Sequence, residues 1–161
     1  MHIVTKPTHL LAFIIVGFIS GTGVSESRTL YVERWGQNTL DCGSKSSPCE
    51  LISHALLQRA KRNDRIVVGP GTYLDNISVD LNNEGEPLSG VKIESVGGRN
   101  VTIIDAVQND LPVFDIRQPN VRLGKKGKGF SVTGATSSSG IEFADTVADR
   151  GRVEGLSLIH I

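Results

Sequence analysis

The sequence predicts an all-β solenoid of parallel strands whose first coils are capped by one α-helix. Short apolar segments follow one another after Asp64, and clusters of Gly, Asn, Asp, Pro or Ser separate them. The segment 129–134 resembles 155–159, which indicates that the same element returns one coil later. Asn-Gly and Asp-Gly dipeptides, the usual signals of two-residue hairpins, do not occur. An antiparallel sandwich is the alternative that remains open.

The helix is predicted to begin at a capping box, Ser47-Pro48-Cys49-Glu50, with Ser47 as N-cap and Pro48 as the first helical residue. Apolar residues then recur at helical spacing and form one face to bury. They are Leu51, Ile52, Ala55, Leu56 and Ala60. We expect the helix to end at Asn63-Asp64 and His54 to lie solvated on its polar face.

From Asp64 onward, apolar residues recur at every second position, which is typical of strands. The predicted strands are 66–68, 77–81, 91–95, 101–104, 113–116, 121–123, 130–132, 141–143 and 153–161. Their recurrence is loose: Val91 is followed by Val113, and Phe130 by Leu156, at unequal intervals. Coils of this kind, with several short strands each, suit a solenoid.

The composition excludes several classes of function. The 161 residues fit one domain with a sizeable core. Because 17 basic side chains balance 17 acidic ones, the chain lacks the positive field that nucleic-acid binding needs. Eighteen glycines and few aromatics indicate many tight turns and small strand residues, unlike a helical bundle or a collagen.

Residues 1–27 have the layout of a secretory signal peptide. Lys6 lies in a segment without acids, Leu10 to Ile19 is apolar, and small polar residues follow, so we expect cleavage between 23 and 27. A permanent membrane span is not expected, since a helical span needs roughly 20 apolar residues. The remainder divides into 28–63, with an N-terminal strand, Cys loop and capping helix, and 64–161, the coils. The predicted location is extracellular or at the cell surface, or periplasmic in a Gram-negative source.

The two cysteines favour export. Cys42 and Cys49 lie close together in a segment rich in turn formers, and we expect them to form a structural disulfide. A pair of buried free thiols is the alternative. Two thiols supply only half of a zinc site, and their spacing is not C-x-x-C. No metal and no cofactor are therefore predicted.

Four segments near the N-terminus carry a family resemblance. They are Tyr31-Val32, the loop from Cys42 to Cys49 that leads into the helix, 64–68 and 69–73. Together they resemble the opening of right-handed parallel β-helix proteins of the pectin-lyase-like superfamily, and the resemblance extends over residues 30 to 161. It implies a right-handed solenoid whose helix covers the first coil. That superfamily includes pectate lyases, polygalacturonases, alginate lyases, epimerases and many non-catalytic surface proteins, so the resemblance implies no single activity.

The sequence stops within the predicted strand 153–161, without a polar cap after it. We expect the natural chain to continue, so that the coils are incomplete at the C-terminus. Self-association through this uncapped strand is the alternative. His160 is expected on the surface of a coil and not as a catalyst.

Candidate functional residues are few. Acids that could serve a polysaccharide-cleaving site stand singly along the chain, so no catalytic residue is predicted. They are Asp105, Asp115, Glu142 and Asp145. The basic run 122–128 could hold an acidic polysaccharide, although a solvated turn is the preferred interpretation. Tyr31 and Trp35 are expected to pack in the first coils and not to stack on a sugar.

The sequence therefore predicts a secreted or cell-surface β-helix domain, a non-catalytic scaffold for which an extracellular polysaccharide is the candidate partner. The alternative is the N-terminal part of a polysaccharide lyase, glycoside hydrolase or uronan epimerase.

Asn76-Ile77-Ser78 and Asn100-Val101-Thr102 match the N-glycosylation acceptor, which matters only in a source that glycosylates. Gly69-Pro70-Gly71 and Gly97-Gly98 are interpreted as turns and not as phosphate loops.

Overall fold

The computed structural model describes residues 26–144 and 151–158. Most of the proposed signal segment, Asp145 and His160 lie outside these residues. The strands are β1 (Thr29–Val32), β2 (Arg65–Val68), β3 (Gly71–Leu74), β4 (Ile77–Val79), β5 (Lys92–Ser95), β6 (Thr102–Asp105), β7 (Phe114–Ile116), β8 (Arg122–Leu123), β9 (Ser131–Thr133), β10 (Ile141–Phe143), β11 (Arg152–Val153) and β12 (Ser157–Leu158). The helix α1 is Ile52–Gln58.

The strands form three parallel sheets that the chain visits in turn. Sheet A has the order β1-β2-β5-β8-β11, sheet B β12-β9-β6-β3, and sheet C β10-β7-β4. One pass through the three sheets makes a coil, so Arg65 of one coil pairs with Lys92 of the next. Every paired strand in the described residues is parallel, which confirms the all-β, solenoid-like organisation and excludes the antiparallel sandwich.

Only part of the predicted recurrence was right. Phe130 and Leu156 do precede equivalent strands, because Ser131 pairs with Ser157 in sheet B. Val91 and Val113, in contrast, precede β5 in sheet A and β7 in sheet C. Strands with alternating buried residues occur in all three sheets, as in β2, β6 and β4, so alternation alone does not identify the sheet to which a strand belongs.

The core consists of stacked inward side chains. In sheet A, Ile66 pairs with Ile93 and Ile93 with Leu123, and all three are buried. Phe114 of sheet C and Phe130, next to sheet B, are buried with ring centroids 6.1 Å apart. Each coil therefore covers the apolar side chains of the one before it, which is the main stabilising interaction of such a stack.

The buried face of α1 was predicted correctly, but its ends were not. Ile52, Ala55 and Leu56 are buried, and the helix packs on β1 and β4. The predicted capping box is wrong: the N-cap is Leu51, without a side-chain cap. The C-terminal end also differs, since the helix ends at Gln58 and not at Asn63-Asp64.

The proposed N-cap segment instead pairs with β1. The Cys49 N–H donates to the Tyr31 carbonyl at 3.0 Å, so the residues around Cys49 are extended and not helical. Two side chains that are distant in the sequence accept hydrogen bonds from backbone N–H groups at the start of the helix. Asn38 Oδ1 accepts from the Leu51 N–H, and Asp75 Oδ2 accepts from the Ser53 N–H at 2.9 Å. Burial raises the pKa of Asp75, and the hydrogen bond from Ser53 opposes that rise.

The predicted disulfide between Cys42 and Cys49 is present. Its loop lies along the outer edge of β1, where the Tyr31 N–H donates to the Gly43 carbonyl at 2.9 Å. The loop thereby occupies backbone groups that an edge strand would otherwise expose. No helix among the described residues has the length and apolar character to span a bilayer.

We expect the double variant Cys42→Ser/Cys49→Ser to lose about 2.5 kcal/mol of unfolding free energy, the chain-entropy value for so short a loop. The measurement is urea denaturation, and Lys45→Ala is the control because Lys45 is exposed in the same loop. Equal stability of the oxidised and reduced wild-type protein would contradict a stabilising role for the bond.

Candidate anion-binding face

Four basic side chains lie at equivalent positions on successive strands of sheet A. They are Arg65, Lys92, Arg122 and Arg152, here called the cationic ladder. The next residue on β2, β5 and β8 is buried and apolar, so the ladder residues lie on the outer face of the sheet. Neighbouring strands in a sheet are about 4.8 Å apart, so the charges form a closely spaced row.

Glu94 is the buried centre of this face. Its side chain is 2% exposed, and its Oε2 lies 2.8 Å from Arg65 Nη2. Arg122 Nη2 lies 3.2 Å from Oε1, and Lys125 Nζ lies 3.4 Å from Oε2. Burial raises the pKa of Glu94, but the hydrogen bond and charge of Arg65, followed by the charge of Lys125, outweigh it, so the pKa lies below its usual value.

The face retains a positive surplus after these ion pairs form. The ladder and Lys125 supply five cations, whereas Glu94 and Glu154 supply two anions, which leaves three positive charges. Glu154 pairs with Arg152 at 2.7 Å. Lys92 has no ion pair within the part of the chain that the structure describes. This face can therefore attract anions despite the neutral composition of the chain.

A shallow cavity opens onto the ladder. Its volume is about 220 Å³, and its lining includes Lys92, Arg122 and Arg152 together with Asn120 and Val121. Three cations around one depression suit a carboxylate or sulfate group, which accepts several charge-assisted hydrogen bonds. The cavity places these donors next to each other although they come from three successive coils and are distant in the sequence.

The basic run 122–128 contributes to this face, so its interpretation as a solvated turn alone was incomplete. Arg122 belongs to the ladder, and Lys125 contacts Glu94. Lys126 lines a separate groove of about 490 Å³ next to Arg99 and the Gly97-Gly98 turn. The run therefore divides between two surfaces: Arg122 and Lys125 lie on the face of the ladder, and Lys126 lines the groove.

Sequence reasoning missed the rest of the ladder. Each member on the first three of these strands precedes an inward aliphatic residue, as in Arg65-Ile66 and Lys92-Ile93. The same basic-aliphatic pair returns once per coil, next as Arg122-Leu123. A search for charged residues at the coil spacing could have found them, whereas a search for dense charge runs could not.

The acids are not as isolated as the sequence indicated. Asp115 and Glu142 pair in register on β7 and β10, with Asp115 held by Arg117 Nε at 2.7 Å. The stacking of the coils therefore aligns two acids that stand apart in the sequence. The cavity beside Asp115 has a volume of about 130 Å³. Asp105 lies apart, in sheet B.

The remaining singled-out residues have varied environments. His54 Nε2 lies 3.1 Å from the Thr39 carbonyl and has no acidic partner at hydrogen-bond distance among the described residues. Tyr31 is half-buried, as expected. Trp35 is 66% exposed, so its predicted packing in the first coils is wrong. Gly69-Pro70-Gly71 is a turn only in part, since Gly71 opens β3.

The two sequons differ sharply. Asn76 is held by four hydrogen bonds to the segment 107–112 of the next coil. Its Nδ2 donates to the Gln108 and Pro112 carbonyls, and its Oδ1 accepts from the Val107 and Gln108 N–H groups. Asn100 is exposed. A glycan on Asn76 would break at least one of these bonds, because glycosylation consumes an Nδ2 hydrogen.

Comparison of the chain with protein-family models finds no match. Comparison with curated proteins and with solved structures also finds none. The site is therefore interpreted from its own geometry and charge.

Proposed function

We propose that this protein is an extracellular, right-handed parallel β-helix domain that binds acidic polysaccharides along the cationic ladder and does not cleave them. The observation that carries the proposal is the register that aligns Arg65, Lys92, Arg122 and Arg152 on one outer face. A row of cations suits a linear ligand whose negative charges repeat along its length.

The topology supports the right-handed winding. Each return of the chain to the same sheet is a crossover between parallel strands, as from β2 to β5. Such crossovers are right-handed in about 98% of known cases, because a right-twisted strand packs back onto its sheet most easily in that sense. The same hand would apply to all coils of the stack.

Export supports a polysaccharide over other polyanions. The disulfide between Cys42 and Cys49 is typical of an oxidising compartment, and the signal-like segment 1–27 agrees with it. Uronate and sulfate groups are the anions that extracellular polysaccharides offer in long rows.

Binding is preferred over cleavage because the cations that could hold the polysaccharide and the acids that could cleave it lie on different sheets. The cations that would hold a uronate lie on sheet A, whereas the paired acids Asp115 and Glu142 lie on sheet C. Cleavage needs the charge-holding group and the acid or base at the same sugar ring.

Affinity for polygalacturonate is expected to fall at least tenfold in Lys92→Gln/Arg152→Gln. These two residues line the cavity and make no ion pair with buried Glu94, so the fold should tolerate their loss. Titration calorimetry at several NaCl concentrations measures the effect. The wild-type affinity should weaken with salt, and the slope of log K against log salt should flatten by about two in the variant.

The control is Lys45→Gln/Arg62→Gln, which removes the same charge from two exposed positions outside sheet A. Alginate is a second acidic probe and dextran a neutral one. Equal losses in both double variants would contradict the ladder, as would the absence of binding to either acidic polymer at low salt. Release of unsaturated or reducing ends from these polymers would contradict the non-catalytic role.

A further inference from the structure

Trp35 forms one wall of a cleft beside the turn that follows β1, and no ladder residue lines this cleft. The cleft has a volume of about 250 Å³ and is lined by Trp35, Gly36, Gln37, Ser46, Ser47 and Pro48. None of these six side chains is charged, and the indole is 66% exposed. The protein thus presents a large aromatic face to solvent beside neutral hydrogen-bonding groups.

Backbone contacts fix the two sides of the cleft relative to each other. The Gln37 N–H donates to the Pro48 carbonyl at 3.1 Å, which joins the turn 33–37 to the disulfide loop. Gly36 allows this approach, since a Cβ there would overlap the Cys49 carbonyl. Within the loop, the Ser47 N–H donates to Ser44 Oγ at 3.0 Å. The cleft is therefore largely preformed, and binding would cost little ordering of the backbone.

We propose that this cleft binds one neutral pyranose ring, which stacks its C–H face on the Trp35 indole. An aromatic face with a few polar groups is the usual composition of a small-ligand site. The Gln37 amide and the Ser46 and Ser47 hydroxyls line the cleft and supply donors and acceptors for sugar hydroxyls. The absence of charge among the six lining residues favours a neutral ring over a uronate.

The proposed sugar site rests on the proposed function in one respect only, namely that the ligand is a saccharide. The cleft and the ladder would act on different parts of a mixed polysaccharide, or on different polymers. The two contacts differ in physical basis, because stacking survives high salt and ion pairing does not.

Trp35 is the one tryptophan of the sequence, so its emission reports directly on this cleft. The probes are cellohexaose and xylohexaose, which are neutral, and hexagalacturonate, which is acidic. We expect a saturable change in emission with a neutral probe, unchanged at high NaCl concentration and in Lys92→Gln/Arg152→Gln. No change with either neutral probe would overturn the proposal. A change confined to hexagalacturonate and lost in the ladder variant would also overturn it.

Calorimetry then tests the variants with the neutral probe that binds. Trp35→Ala should weaken binding about tenfold or more, and Gln37→Ala several-fold. The matched control is Leu40→Ala, an exposed apolar side chain of the same region that does not line the cleft. Equal weakening by Leu40→Ala would show a structural effect and overturn the assignment to Trp35. If the wild-type protein did not bind polygalacturonate but still responded to the neutral sugar, the ladder alone would be refuted.

Discussion

Asn76→Ala is expected to lower the free energy of unfolding by about 4 kcal/mol, since each of the four hydrogen bonds it makes contributes about 1 kcal/mol. All four partners are backbone groups of the segment 107–112. This segment leads from β6 into β7, so its loss of order would loosen the contact between the first and second coils. Urea denaturation measures the effect as a shift of the midpoint.

Asn100→Ala is the matched control because Asn100 is the exposed asparagine of the other sequon. Its unfolding free energy should stay within about 0.5 kcal/mol of the wild type. If Asn76→Ala and Asn100→Ala unfolded at the same urea concentration, the bridging role of Asn76 would be refuted.

Glu94→Gln should destabilise the fold by about 2 kcal/mol at neutral pH. The variant keeps the shape of the side chain but removes the charge that Arg65, Arg122 and Lys125 share. Breaking a buried ion pair costs several kcal/mol, but these cations are 35% to 40% exposed, and solvent reduces their mutual repulsion. Glu84→Gln is the control, because Glu84 is 66% exposed in its pair with Lys61 and should contribute little.

The contribution of Glu94 should also depend on pH. Its folded pKa lies below the usual value, so in acid the unfolded chain takes up the proton first. The stabilisation is therefore complete above the unfolded pKa of Glu and is lost as the pH falls through the folded pKa. The difference in unfolding free energy between wild type and Glu94→Gln should shrink below about pH 4.5. A difference that stays constant into strong acid would contradict this linkage.

Glu94→Gln provides an independent test of the ladder. Removal of one anion raises the positive surplus of the face from three to four, so affinity for polygalacturonate should rise while stability falls. A variant that merely unfolds would lose both. Opposite changes in stability and affinity would separate the charge effect from damage to the fold.

Strands were predictable from sequence because alternation is a local property. The segments around Ile66, Ile93 and Ile141 were located close to the observed bounds of β2, β5 and β10. The helix start was not predictable in this way. The sequence around Ser47 favours a helix cap, but the pairing of Cys49 with β1 competes with it and prevails.

The candidate site could not be predicted from local patterns, because its residues come from different coils and are distant in the sequence. The register that brings Lys92 beside Arg122, or Asp115 beside Glu142, depends on the full length of a coil with its loops. Those loops differ in length, since the interval from Ile77 to its partner Phe114 in sheet C is longer than any interval between ladder neighbours in sheet A. No single spacing describes them, so a fixed repeat length aligns some residues correctly and others with the wrong sheet.

The sequence by itself determined most of the short strands, the helix with one apolar face and the closeness of the two cysteines. Each of these depends on neighbours within a few positions along the chain. Sequence reasoning missed β3, and it predicted one strand over 153–161 where β11 and β12 lie in different sheets. The tertiary structure decided which outward side chains share a face. In the folded chain, the Glu94 side chain is buried against Arg65, and the Trp35 side chain is exposed to solvent. The physical reason is that burial of the inward side chains fixes how the coils stack, and the outward residues follow that register.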